Sequence, residues 1–173
     1  HGEIVGHFGL GWSDRTLGLS FPSGVAGRQL RDRLQTVGWL RGSGHEQFRG
    51  CLVVPVRDRS GRVVQCFGRR VRRPQQRGPV EPTLEFWLPA PATGIWHPEA
   101  LASAKVIVAG SILDGLVWWS AGFRHVLAPG GPDGLGDGFG ELLVDQGVTR
   151  VLLAQPRTPE GEQTAAALTA QLA

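Results

Sequence analysis

The last third of the chain alternates short apolar runs with helical stretches, and this limits the available folds more than any other feature. Residues 106–109, 125–128 and 150–154 read as short apolar strands. Helical segments are expected at about 112–121, 138–146 and 160–172. Links this short make each strand–helix–strand step a crossover, so the strands run parallel with right-handed connections. The expected fold class is α/β. A parallel sheet with flanking helices occupies residues 101–173, preceded by a basic mixed α+β subdomain over residues 1–100. In open sheets of this kind ligands gather beyond the carboxyl ends of the strands. Those ends are Gly110-Ser111, Pro129-Gly-Gly131 and residues 155–158.

The first hundred residues have a different texture. Residues 4–21 read as short strands broken by Gly9, Gly11 and Gly18. Leu30, Leu34 and Val37 recur at helical spacing and predict a helix over 30–40, with Arg28, Arg31 and Arg33 off its apolar face. Residues 51–56 and 62–68 are β-rich and joined by Asp58-Arg-Ser-Gly61, a hairpin signal. Pro55 cannot donate to a sheet ladder, which makes its strand an edge or a bulged one. Residues 72–83 read as a basic loop, and Phe86-Trp-Leu88 as the start of a last short strand.

Charge is distributed unevenly. Residues 1–100 carry 14 arginines against 8 acids, a net of +6, whereas residues 101–173 carry 4 basic residues against 7 acids, a net of −3. Nine arginines fall between Arg49 and Arg77 against the single acid Asp58. Arginine in such density suits phosphate, because the guanidinium fork meets phosphate oxygens two at a time. The expected interface is Arg49, Arg57, Arg62, Arg69, Arg70, Arg72 and Arg73, with single-stranded DNA or RNA as a weakly and electrostatically held partner. Cys51 and Cys66 are too few for a disulfide framework or a zinc site and read as reduced core thiols, which predicts a cytoplasmic protein. No apolar run is long enough to span a bilayer, so no membrane partner is expected. With no Met anywhere, the chain is expected to be an excised fragment.

Several motifs together resemble a known family, the catalytic core of bacterial DnaG-type primases, and within it the zinc-finger primase-like proteins of plasmids and mobile elements. Phe8-Gly-Leu-Gly-Trp-Ser-Asp-Arg-Thr-Leu17 is similar to the family's opening segment. Gly44-His-Glu-Gln-Phe-Arg-Gly-Cys-Leu-Val-Val-Pro-Val-Arg-Asp58 resembles its hairpin, and Gly61-Arg-Val-Val-Gln-Cys-Phe-Gly-Arg-Arg70 its following strand. Leu88-Pro-Ala-Pro-Ala-Thr-Gly-Ile-Trp96 is similar to a loop of the mobile-element branch. Residues 111–114, followed by Trp118-Trp-Ser-Ala-Gly-Phe-Arg-His-Val126, resemble the start of the TOPRIM fold shared by primases and topoisomerases.

The resemblance also implies where the chemistry should be. A TOPRIM site has a Glu after its first strand and an Asp-x-Asp pair after its third. Here those positions hold Gly110, Pro156 and Thr158, while Asp114 and Gly161 stand at family positions. Mg²⁺ needs hard oxygen ligands in octahedral geometry, and one carboxylate does not hold it. Asp114 is therefore expected to cap its helix, and no metal, cofactor or catalytic residue is assigned. Asp133, Asp137 and Glu141 lie in or near a flexible glycine-rich loop, and His45, His97 and His125 lack partners at ligand spacing. Residues 130–138 lack the Lys-Ser/Thr ending of a phosphate-binding loop. Arg49 and Arg70 fall where the family has arginine, whereas Cys51, Glu85 and Thr93 replace basic residues. Trp87 and Trp96 are candidates for base stacking or, alternatively, core aromatics. By the resemblance, the family's zinc-binding domain is expected to be absent from these residues, and the chain is expected to stop before the sheet's final strand. The expected function is a non-catalytic nucleic-acid-binding or scaffold module, partnered also by other domains of the same protein or by replication proteins. The alternatives are an active primase core whose acids come from outside this fragment, and a pure protein-interaction domain.

Overall fold

The computed structural model describes residues 2–71 and 84–172. Residues 2–55, 65–71 and 84–91 form one compact unit, and residues 56–64 and 92–172 form another.

The first unit opens with helix α1 (Gly2–Phe8), a two-residue strand β1 (Gly11–Trp12) and a 3₁₀ turn (Leu17–Ser20). This corrects the expectation of short strands over 4–21. Gly9 ends a helix there: the Leu10 N–H reaches back to the Val5 carbonyl across it at 2.9 Å. A glycine reads alike as a strand breaker and as a helix terminator when seen in sequence alone. Helix α2 (Gly24–Thr36) also departs from the expected 30–40. It starts directly after Ser23 and closes with the Val37 N–H on the Arg33 carbonyl. Most of α2 is exposed, so its apolar spacing marked only its second half.

Strands β2 (Cys51–Arg57) and β3 (Val63–Arg70) form the expected hairpin, and β4 (Glu85–Trp87) completes an order β1-β2-β3-β4. Strand β1 pairs only with Val53 and Leu52, leaving β2 without that neighbour at Pro55. The hairpin turn is set by Asp58. One carboxylate oxygen accepts from Ser60 N–H at 2.8 Å and Ser60 Oγ at 2.6 Å, and the other takes two donors of Arg62 at 2.9 and 3.0 Å. These bonds hold the Asp58 carboxyl down at about 2, the Ser60 hydroxyl contributing most. A small core gathers Phe48, Cys51 and Cys66 against Trp39, Val53, Phe86 and Leu88. Gln65, fully buried, donates to the Leu88 and Pro91 carbonyls and accepts from the Leu88 N–H, tying β3 to the segment after β4. Both cysteines are buried free thiols.

The second unit contains β5 (Ile95–Trp96), a 3₁₀ turn (Pro98–Ala102), β6 (Lys105–Ala109), α3 (Ile112–Ser120), β7 (Val126–Pro129), α4 (Phe139–Asp145), β8 (Arg150–Ala154) and α5 (Pro159–Gln171). Its sheet runs β5-β7-β6-β8, with β6 parallel to both β7 and β8. The parallel α/β expectation holds, with boundaries within two residues. One strand was not foreseen: β5 adds an antiparallel edge to β7. Val106 and Val108 point into a core with Ala100, Leu101, Leu127, Phe139 and Leu143. Trp96 is buried against α3, where a β-carbon on Gly115 would lie only 2.6 Å from its ring. It is therefore a core aromatic. His97, also buried, donates from Nδ1 to the Val126 carbonyl at 2.7 Å. Helix α3 ends on Gly122 (φ 99°), with the Phe123 N–H on the Trp118 carbonyl and the two rings 5.0 Å apart, edge to face. No helix among the described residues is long and apolar enough to cross a membrane.

Candidate nucleic-acid interface

The described arginines singled out in the sequence fall into two groups, one in each unit. Arg57 and Arg62 sit at the turn of the β2–β3 hairpin and brace it. Arg57 donates to the Gly61 carbonyl at 2.9 Å, and Arg62 pairs with Asp58. Arg49, Arg69 and Arg70 lie at the open end of the hairpin, in the other unit. Arg69 pairs with Glu85 across β3 and β4 at 2.9 Å, where both side chains are partly exposed, so the pair is a weak and exchangeable one. Arg72 and Arg73 lie outside the described residues.

Arg70 is the most firmly placed of the set. Its guanidinium lies 4.6 Å from the centre of the Phe86 ring, and Arg41 approaches the same ring at 5.7 Å. Arg70 also hydrogen-bonds the Cys51 thiol. Burial pushes that thiol's pKa up, and the neighbouring Arg70 charge only partly offsets it. The Cys51 Sγ in turn lies 3.9 Å from the Arg49 carbonyl.

From this position Arg70 lines a cavity of about 590 Å³ with Trp12, Ser13, Asp14, Arg15, Gly50 and Val71. Two of these residues carry signals that the sequence reading missed. Arg15 has φ of 76°, a left-handed conformation that costs a non-glycine residue on the order of 1–2 kcal/mol. The Asp14 carboxylate holds it there, accepting from Thr16 N–H at 3.0 Å and Thr16 Oγ1 at 2.6 Å. The same bonds lower the Asp14 pKa, so an anionic group also faces this cavity. Arg15 lies over Gly50, where a β-carbon would be 3.8 Å from its Nη2. Gly50 N–H donates to the Ser13 carbonyl and Ser13 N–H to the Cys51 carbonyl, which stitches the 12–15 loop to the start of β2. Glu46 secures the far side of that loop through Ser13 Oγ at 2.7 Å and Leu17 N–H at 3.0 Å. Trp12 is 54% exposed beside the cavity, whereas Trp87 packs on Phe67 with ring centres 4.9 Å apart. A cavity with two guanidinium groups and an exposed indole can bind a phosphate and stack a base. In sequence, Trp12-Ser-Asp-Arg15 was visible only as part of a motif, because a left-handed arginine leaves no compositional trace.

The strand ends of the parallel sheet present a different chemistry. Gly110 and Pro156 are neighbours: Gly110 N–H donates to the Ala154 carbonyl at 3.1 Å. A β-carbon at Gly110 would fall 2.9 Å from both Gln155 Oε1 and Pro156 Cδ. Gln155 fills the space between the strands and donates to the Val108 carbonyl at 3.3 Å. Thr158 caps α5, accepting from the Gly161 N–H. Asp114 belongs to a reciprocal cap with Ser111, accepting from its hydroxyl at 2.7 Å and donating its own N–H to it at 3.1 Å. These residues do not fit the divalent metals of a TOPRIM centre, since only one carboxylate is present and it is engaged in the cap. Among the described residues no three His, Cys, Asp or Glu side chains come together as a metal cage, Asp133, Asp137 and Glu141 included.

No family model matches the chain, and no curated protein matches it in sequence. Solved structures do match in three dimensions. The structure of the DnaG catalytic core aligns with a TM-score of 0.77 at 17% identity, over 99% of this chain and 56% of that one. A DnaG primase catalytic domain bound to single-stranded DNA aligns at 0.74 and 17% identity, over 97% and 54%. A DNA primase domain from Pseudomonas aeruginosa aligns at 0.74 and 18% identity, over 98% and 55%. The chain thus spans about half the length of the structures it matches. Its fold is that of the DnaG primase catalytic core over about half of that core's length.

Proposed function

We propose that this chain is a primase-like domain that holds single-stranded nucleic acid and does not itself carry out metal-dependent nucleotide transfer. The observation that carries the reading is the cavity in which Arg15 and Arg70 converge beside Trp12. Backbone strain persists where surrounding bonds enforce it, and such positions concentrate at ligand sites. Arg15 is held in this way, and it aims a guanidinium at the same space as Arg70. Arg49 and Arg69 extend the cationic surface, Arg57 and Arg62 add a second cluster at the hairpin turn, and Arg72 and Arg73 lie in the basic stretch that follows β3. A matched primase domain is bound to single-stranded DNA, which agrees with such a partner. Further partners are other domains of the same protein or replication proteins, in the cytoplasm, and the 88–96 loop supports a place in the mobile-element branch.

Loss of catalysis follows from the strand ends. Metal-assisted phosphoryl chemistry needs carboxylates to hold the ions and neutralise developing charge, worth several kcal/mol for each effect. Gly110, Pro156 and Thr158 supply none of that. The test pairs two measurements on one preparation. Fluorescence anisotropy with a labelled 16-nucleotide oligo-dT should report binding that is unchanged by EDTA. Incubation with template, nucleotides and Mg²⁺ or Mn²⁺ should yield no primers. Metal-dependent incorporation abolished by Asp114→Asn would overturn the non-catalytic reading, and absence of binding at low salt would overturn the nucleic-acid one.

A further inference from the structure

The loop that carries Arg15 borders a second cavity. Trp12, Ser13 and Asp14 line the arginine cavity, and the same three residues line a cleft of about 400 Å³ within the same unit. Its walls come from residues 11–20, residues 39–48 and Val53 of β2, so it is a hollow formed by the unit's own chain.

The apolar lining is largely aromatic. Phe48, almost fully buried, meets Trp39 edge to face with ring centres 5.3 Å apart, and Leu17 and Val53 join them. The Gln47 N–H on the Trp39 carbonyl at 2.9 Å and a bridge between Leu40 and Glu46 fix this wall. The polar lining is made of acceptors. Glu46 takes one bond on each carboxylate oxygen, from Ser13 Oγ at 2.7 Å and Leu17 N–H at 3.0 Å. Asp14 takes both of its Thr16 bonds on a single oxygen. A carboxylate has about four acceptor sites, so both side chains keep capacity for an incoming donor. Among the described residues no lysine, arginine or histidine lines the cleft. A phosphate has no counter-charge there, and an apolar segment laid across it would bury two carboxylates without a donor. A flat ring that carries N–H groups suits both parts of the lining.

The two cavities thus divide the chemistry of one nucleotide between them, with guanidinium groups on one side of the 12–14 loop and aromatic rings with carboxylates on the other. We infer that the cleft holds a base of the strand whose phosphate lies at Arg15 and Arg70, and that it selects bases with an exocyclic amino group over thymine and uracil. The inference rests on the nucleic-acid reading above. The amino groups of cytosine, adenine and guanine donate to a carboxylate, whereas thymine turns its O4 acceptor towards it. Asp14 is the specificity-determining residue, because it lines both cavities and its lowered pKa keeps it an acceptor.

Fluorescence anisotropy with labelled 16-nucleotide oligo-dC and oligo-dT, at pH 7.5 and equal salt, tests the selection. Oligo-dC should bind about fivefold or more tightly than oligo-dT. Both should show the same salt slope, since the phosphate contacts are shared. Asp14→Asn keeps an oxygen for Thr16 and adds a donor for thymine, so it should bring the ratio of the two affinities close to one. A second readout does not depend on that variant. Irradiating oligo-dC that carries one 5-iodo-deoxycytidine should join the base to Trp39, which lies outside the arginine cavity. Equal affinities with the salt slope intact would overturn the base pocket and leave the nucleic-acid reading standing. Binding of neither strand would remove that reading and the pocket with it. Adducts that never include Trp39 would place the base elsewhere and sink the proposal. Free dCMP competing as well as the strand would overturn it in favour of a mononucleotide site.

Discussion

Replacing Gly161 with alanine tests how the third strand end of the parallel sheet is built. Gly161 lies in the first turn of α5, and a β-carbon there would be 2.1 Å from the Pro156 carbonyl oxygen and 3.0 Å from its carbon. That is about 1 Å or more inside ordinary contact, and the obstacle is backbone rather than a movable side chain. Forced overpacking of this kind costs about 1–3 kcal/mol. Opening the turn also weakens the Thr158 cap, worth about 1 kcal/mol, while alanine regains about 1 kcal/mol of helix propensity. The net expectation is a destabilisation of about 1–3 kcal/mol, or roughly 3–9 °C in Tm for a chain of this size. Gly6→Ala in α1 is the matched control, because nothing lies within 4 Å of its β-carbon position. It should stabilise by about 0.5–1 kcal/mol. Thermal melts followed by far-UV circular dichroism compare the two, with each variant shifting the transition of its own unit if the units melt separately. A Gly161→Ala protein as stable as the parent would refute the packing argument at this strand end.

Other outcomes follow from the same geometry. Gly110→Glu should destabilise because its β-carbon meets Gln155 and Pro156, and adding Gln155→Ala should recover part of the loss, giving a coupling energy outside about 0.5 kcal/mol in a double-mutant cycle. Additive effects would mean that Gln155 does not fill the space. The Asp58 carboxyl is depressed from 3.8 to about 2 in the folded chain, so its contribution to stability is present above pH 4 and is lost as the pH falls through 2. The Ser60 and Arg62 amide shifts should titrate with a midpoint near 2, and a midpoint near 4 would contradict the bonds described. Cys51 and Cys66 are buried, and burial raises the Cys51 pKa, so both thiols should resist iodoacetamide at pH 8 until the protein is unfolded. Rapid native alkylation would show that this core opens.

The parallel half was legible in sequence because its strands and helices are separated by short links and its strands are short apolar runs. Arg150–Ala154 is a strand at the limits expected, and the helices shift by two residues at most. The opening segment was not legible. Phe8 is the one buried residue of α1, so no apolar stripe marked it as a helix, and Gly9 suggested a break in a strand. Strand β5 is two residues long and depends on β7 rather than on its own propensity. At the interface, arginine density identified the hairpin but could not separate the arginines that brace its turn from those at its open end. Arg15 went unnoticed because its importance lies in a backbone angle and in a neighbour, Gly50, that is 35 positions away.

The most direct measurement is the salt dependence of oligo-dT binding. If Arg15, Arg49, Arg69 and Arg70 each engage a phosphate, log K should fall against log salt with a slope of about −2.8, or roughly fifty-fold between 50 and 200 mM. Arg15→Ala combined with Arg70→Gln should reduce the slope to about −1.4, while Asp114→Asn leaves it unchanged. A slope near zero, or one that the double variant does not alter, would contradict nucleic-acid binding at the Arg15–Arg70 cavity.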